Sequence, residues 1–127
     1  MRHPLAKIAA ALASIIGVMA IFAGGQVLRG QLPDYYVINW LPVYNFIAGL
    51  VSALVVAVLI WRESRYALPA AALMFTAHAA VMLVLLIAFG DVVAPDSIRA
   101  MTIRLVVWLI ILVLLFLQSR RGRVATV

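Results

Sequence analysis

Apolar residues neither alternate with polar ones along this chain nor fall into narrow stripes. They gather into four long runs, roughly Leu5–Gly24, Leu41–Trp61, Ala67–Phe89 and Ala100–Leu117. Each approaches the ~20 residues with which an α-helix crosses ~30 Å of hydrocarbon. A membrane β-barrel would instead show segments of about ten residues with alternating polarity. The pattern therefore predicts an all-α integral membrane protein of four transmembrane helices.

The intervals between the runs are about Gly25–Trp40, Arg62–Tyr66 and Gly90–Arg99. Short links force neighbouring helices to run antiparallel, so residues 1–127 are expected to form one domain, an up-down-up-down four-helix bundle. Leu41-Pro42 and Leu68-Pro69 place proline in the first turn of spans two and three, where its missing N–H costs nothing. The two pairs enter from opposite sides of the membrane, which does not support an inverted-repeat transporter.

Composition agrees with the pattern. Hydrophobic residues make up 68% of the chain and charged residues 11%, against about half and a quarter in soluble domains. A soluble fold of this size has too little interior for so many apolar side chains. Cysteine is absent, which excludes disulfides, thiolate catalysis, iron–sulfur clusters and Cys-type zinc sites. The net charge of +6 does not point to nucleic acid, because no basic face with interleaved aromatics exists outside the runs.

The charge has a direction. Arg2, Lys7, Arg62, Arg65, Arg120, Arg121 and Arg123 fall at one end of the runs. Arg29 and Arg99 fall at the other, with Arg104 just inside the last run, and Asp34, Asp91 and Asp96 share that second end. Basic residues flank spans on the cytoplasmic side. The expectation is a multi-pass protein of the cytoplasmic (inner) membrane with both termini and the second loop in the cytoplasm. The basic start, apolar middle and Ala23-Gly24-Gly25 of the first run also imitate a signal peptide; a retained helix is the expectation.

Tyr35, Tyr36, Trp40 and Tyr44 cluster at the entry of span two, and Trp61 and Tyr66 at the opposite boundary. Rings with one wet and one apolar end favour the headgroup level, so these six are assigned as interfacial anchors, with a ligand-binding lip as the alternative. Span one carries small residues at heptad steps, Ala6, Ala10, Ala13, Gly17, Ala20 and Gly24. Such a seam stays on one face of a left-handed helix pair and lets backbones approach closely. It marks span one as central or as an oligomer contact. Span two has Asn45, Gly49 and Ser52 at steps of four and three, and Gly49, Ala53 and Ala57 at steps of four. Span four lacks small residues from Leu105 to Leu117 and reads as the most lipid-exposed helix, or one facing a large partner.

Few residues in the runs can carry chemistry. His78 lies near the centre of span three, where an ionisable group is a functional candidate by default. Ser14, Ser52 and Trp108 are expected at similar depth, and a hydrogen-bonded core with His78 is the bland reading; a proton relay or substrate contact is the sharper one. Haem b needs two axial ligands from different helices. His3 is at the wrong depth, and Met74 and Met82 share the helix of His78. That leaves a second copy of His78 in a homodimer, or Met19 or Met101 as a weaker route. Arg104, about one turn inside span four, is expected to snorkel or to pair with Asp34, Asp91 or Asp96; anion recognition is the alternative. Asn45 can cap or cross-link helices, and Asp96-Ser97 can supply an N-cap. No metal-site spacing, phosphate loop or nucleophile–base pair is visible, and no acidic residue sits in mid-span.

Three functions remain: a non-enzymatic accessory or assembly subunit of a larger membrane complex; a small oligomeric transporter or channel using His78 and Arg104; and a redox protein holding haem or quinone. Expected partners are the lipid bilayer and other membrane subunits or further copies of the chain.

Overall fold

The computed structural model describes residues 4–126, and side chains for residues 4–120. Arg2 and His3, and the side chains of Arg121 and Arg123, lie outside the described residues. Four helices are long and apolar enough to cross a membrane: α1 (Pro4–Leu28), α2 (Leu41–Trp61), α3 (Ala67–Ile87) and α4 (Pro95–Thr126). No strand occurs among the described residues.

The helix ends follow local chemistry. α1 runs a turn past Gly24 and stops at Gly30, whose φ of 90° lies in the left-handed region that glycine tolerates. The amides of Gly30 and Gln31 donate to the carbonyls of Val27 and Gln26, which closes the helix in a Schellman motif. α2 ends the same way with Glu63 in the glycine role, at φ 56°; Glu63 and Ser64 amides reach back to Ile60 and Leu59. α4 starts earlier than expected, with Pro95 as its first residue. The Ala94 carbonyl receives the amides of Ser97 and Ile98. Asp96 is therefore not the N-cap; it sits in the first turn, where a negative charge faces the positive end of the helix dipole.

Consecutive helices alternate in direction. Gly17 faces Gly49 and Ala53 while Gly24 faces Pro42 and Phe46, so α1 and α2 are antiparallel. Trp40 packs edge-on against Phe89, ring centroids 5.8 Å apart, and Tyr44 meets His78, so α2 and α3 are too. His78 lies beside Trp108, whereas Ala67 shares a bay with Leu115, which reverses α4 against α3. α1 packs on α2 and α4, α3 packs mainly on α4, and the α2–α3 seam is looser. The bundle has a basic end, formed by the start of α1, the α2–α3 turn and the end of α4, and a far end formed by the other two loops.

The buried faces repeat every seven residues, the spacing of left-handed helix packing. On α1 the six seam residues Ala6, Ala10, Ala13, Gly17, Ala20 and Gly24 are all buried. On α4 the stripe is Met101, Arg104, Trp108, Ile111 and Leu115. That stripe corrects the expectation for span four. Of its most apolar stretch 28% is buried, against 22% for α3, so α3 is the helix with the most outward surface. Absence of small residues does not mean absence of contacts: large side chains on α4 fill the centre that α1 and α2 leave open.

One apolar cluster fills the basic half of the bundle, and a smaller one, around Ile38, Leu41 and Leu85, seals the far end. α2 passes between them with a π-helical stretch at Val51–Val56, in which the Ala57 amide donates to the Ser52 carbonyl five residues back.

Candidate functional site

Polar side chains from three helices meet between the two apolar clusters. α2 contributes Tyr44 and Asn45, one turn inside its proline-marked start. α3 contributes His78, and α4 contributes Arg104 and Trp108, four residues apart on one helical face. His78 is 2% exposed, Arg104 7% and Trp108 0%.

Two hydrogen bonds organise the cluster. The Tyr44 hydroxyl and His78 Nδ1 are 2.7 Å apart, and the two rings meet edge to face with centroids at 5.7 Å. This bond crosses the seam where α2 and α3 approach least closely. Arg104 donates a guanidinium N–H to Asn45 Oδ1. Adjacent residues of one helix therefore hold a histidine on α3 and an arginine on α4. Trp108 closes the cluster towards the basic end, its ring 6.3 Å from that of His78. Its indole N–H is buried and has no hydrogen-bond partner among the described residues. Such a donor costs about 1–3 kcal/mol.

Arg104 does not snorkel to the headgroups. Its side chain turns inward, and among the described residues no carboxylate stands within ion-pair distance of it; Asp96 engages Arg99 instead, at 3.1 Å. The guanidinium forms part of the wall of a cleft of about 90 Å³ at the far end of the bundle, with Asn45 beside it. Tyr35, Asp96 and Ser97 add polar atoms to the cleft, and Ala23, Pro42 and Met101 add apolar wall.

Tyr44 is not an interfacial anchor; its hydroxyl serves His78. Trp40 is spent on Phe89. Tyr35, Tyr36, Trp61 and Tyr66 are exposed. The Lys7 ammonium lies 3.7 Å from the centroid of the Trp61 ring and donates to the Trp61 carbonyl at 3.2 Å. Ser52 is buried within the π-helical stretch. Ser14 lies away from His78, in a groove between α1 and α2 with Ala10, Ala53 and Ala57. Of the three residues expected around His78, Trp108 stands beside it, and among the described residues no hydrogen bond joins Ser14 or Ser52 to the imidazole. Among the described residues no group of His, Asp and Glu is arranged to hold a metal ion. Compared with family models, curated proteins and solved structures, the chain matches none.

Proposed function

We propose that this protein is a non-enzymatic, multi-pass protein of the cytoplasmic membrane, with both termini in the cytoplasm, that binds a small oxyanion, a carboxylate or phosphate group, entering from the extracytoplasmic side. The observation that carries the reading is Arg104: a buried guanidinium beside a cleft, answered among the described residues by one neutral amide. Removing such a cation from water costs several kcal/mol. A hydrogen bond to a charged group returns about 1.5–3 kcal/mol. The shortfall is what a bound oxyanion would offset, since a planar guanidinium pairs with carboxylate or phosphate through two parallel hydrogen bonds.

Size supports the same ligand class. A cleft of about 90 Å³ holds about three waters, and is smaller than the ~150 Å³ that accepts a benzene ring. This favours an oxyanion over a quinone ring or a haem. Towards the basic end the bundle is filled by Met74, Ala71, Ile111 and Leu115. Binding at the far end fits this better than conduction through a single bundle, and suits an accessory subunit that senses or holds its ligand.

The test is thermal unfolding of the detergent-purified chain at constant ionic strength, with inorganic phosphate or acetate replacing chloride. A ligand at one hundred times its Kd stabilises by about 2.7 kcal/mol, so the midpoint should rise by several degrees. Arg104→Gln should abolish the rise, and Arg104→Lys, which keeps the charge but loses the fork, should reduce it. No rise in the parent chain, or an equal rise in Arg104→Gln, overturns the reading.

A further inference from the structure

The partner of Arg104 is a side chain of another helix, 59 positions away, and it carries no charge. Asn45 is half-buried and lines the same cleft as the guanidinium. Its turn of α2 is held from two sides. Tyr44, the preceding residue, is bonded to His78 on α3. On the α1 side, the missing side chain of Gly24 lets the backbone of Pro42 and Phe46 close in. The Asn45 amide is thus presented to Arg104 in one register. Asparagine and aspartate share a shape and differ in charge. A carboxylate at position 45 would accept from the same guanidinium and also neutralise it, and such charge-assisted pairs are about twice as strong as neutral ones. An amide oxygen accepts the bond and leaves the cation without a counter-charge.

We propose that Asn45 is the positioning residue that sets how tightly Arg104 takes its oxyanion, an inference that rests on the oxyanion reading of the cleft. Asn45 orients the guanidinium through one N–H and, being neutral, leaves the charge to the ligand. Ligand affinity then runs opposite to how well residue 45 itself satisfies the arginine. A ligand gains only the difference between the occupied and the empty site. With a carboxylate at position 45 the empty site is already paired, and an entering anion meets a neutralised cation and a like charge. With an apolar side chain of similar size the empty site has no partner at all, and the anion relieves more.

The experiment is thermal unfolding of the full chain in detergent at constant ionic strength, with acetate titrated in place of chloride. The parent midpoint rises with acetate, and Asn45→Asp should show no rise. Asn45→Leu should unfold at a lower temperature in chloride yet titrate with a Kd about tenfold lower than the parent, the scale of one hydrogen bond to a charged group. A merely structural role for Asn45 would lower the midpoint of both variants and leave the Kd where it was. The double variant Asn45→Asp/Arg104→Gln strands a carboxylate without its cation, and its midpoint should fall beyond the sum of the two single changes. The leucine variant carries the test alone if the aspartate variants do not fold. No rise in the parent overturns the oxyanion reading and this inference with it. A rise that survives in Asn45→Asp, an unchanged Kd in Asn45→Leu, or additive midpoints in the double variant overturn the role of Asn45 and leave the oxyanion reading standing.

Discussion

At the scale of single residues, the bundle depends on a few polar groups that answer one another across helices. The 2.7 Å bond between Tyr44 and His78 joins two helices that otherwise touch little. Tyr44→Phe keeps the ring packing and removes the hydroxyl, leaving Nδ1 of a buried imidazole unanswered. We expect a loss of about 1 kcal/mol, the scale of interhelical hydrogen bonds in membranes. The double variant Tyr44→Phe/His78→Leu should recover most of it, because both polar partners are then gone. Unfolding in mixed micelles, read as a double-mutant cycle, checks this; additive losses would mean that the two groups do not interact. Sequence reasoning picked out His78, Asn45, Arg104 and Trp108 one by one, because polar residues in long apolar runs are conspicuous. Depth alone matches Ser14, Ser52 and Trp108 to His78 and does not single out Tyr44. The usable signal was Pro42: proline in the first helical turn puts Tyr44 and Asn45 already inside α2 rather than at its entry.

At the scale of elements, the α1–α2 pair is set by glycine. A Cβ on Gly24 would stand 2.5 Å from the Pro42 carbonyl oxygen and 2.7 Å from the Phe46 amide nitrogen, whereas one on the neighbouring Gly25 would meet only the Phe46 ring at 3.7 Å. Backbone cannot yield as a side chain can. Gly24→Ala should therefore cost about 1–3 kcal/mol, and Gly25→Ala should stay within about 0.5 kcal/mol of the parent. Chemical or steric denaturation of the two variants side by side tests this; equal effects would show that α1 does not dock on α2 through Gly24. The seam of small residues on α1 was legible because close backbone approach demands small side chains. The buried stripe on α4 was not, because Leu, Ile, Val, Trp and Met suit a protein core and a lipid tail equally well. In membranes, side-chain size announces a contact only when the contact needs smallness.

At the scale of the whole molecule, four helices and their alternation could be read from run lengths and short links, since lipid leaves few other options for a polar backbone. Which end faces the cytoplasm rests on charge. Lys7, Arg62, Arg65 and Arg120 gather at the basic end, while Asp34 and Asp91 lie in the far loops and Asp96 in the first turn of α4. Reporter fusions at residues 1 and 127 should both register the cytoplasm, and a tag inserted at Gln31 should register the opposite face. Both termini on the outer face would reverse the assignment of the Arg104 cleft to the outside, and termini on opposite faces would contradict four spans.

The wide turn at Val51–Val56 has a consequence for how α2 tolerates change. Each residue of an α-helix advances the chain by about 100°, and the π-helical stretch absorbs one residue of phase. Before it, Tyr44 and Asn45 aim at the polar centre; after it, Ala57 and Ile60 aim at the apolar half. Removing a single residue from the stretch would straighten the helix and rotate one half against the other by roughly that angle. The polar centre and the apolar half would then no longer be served by the same rod.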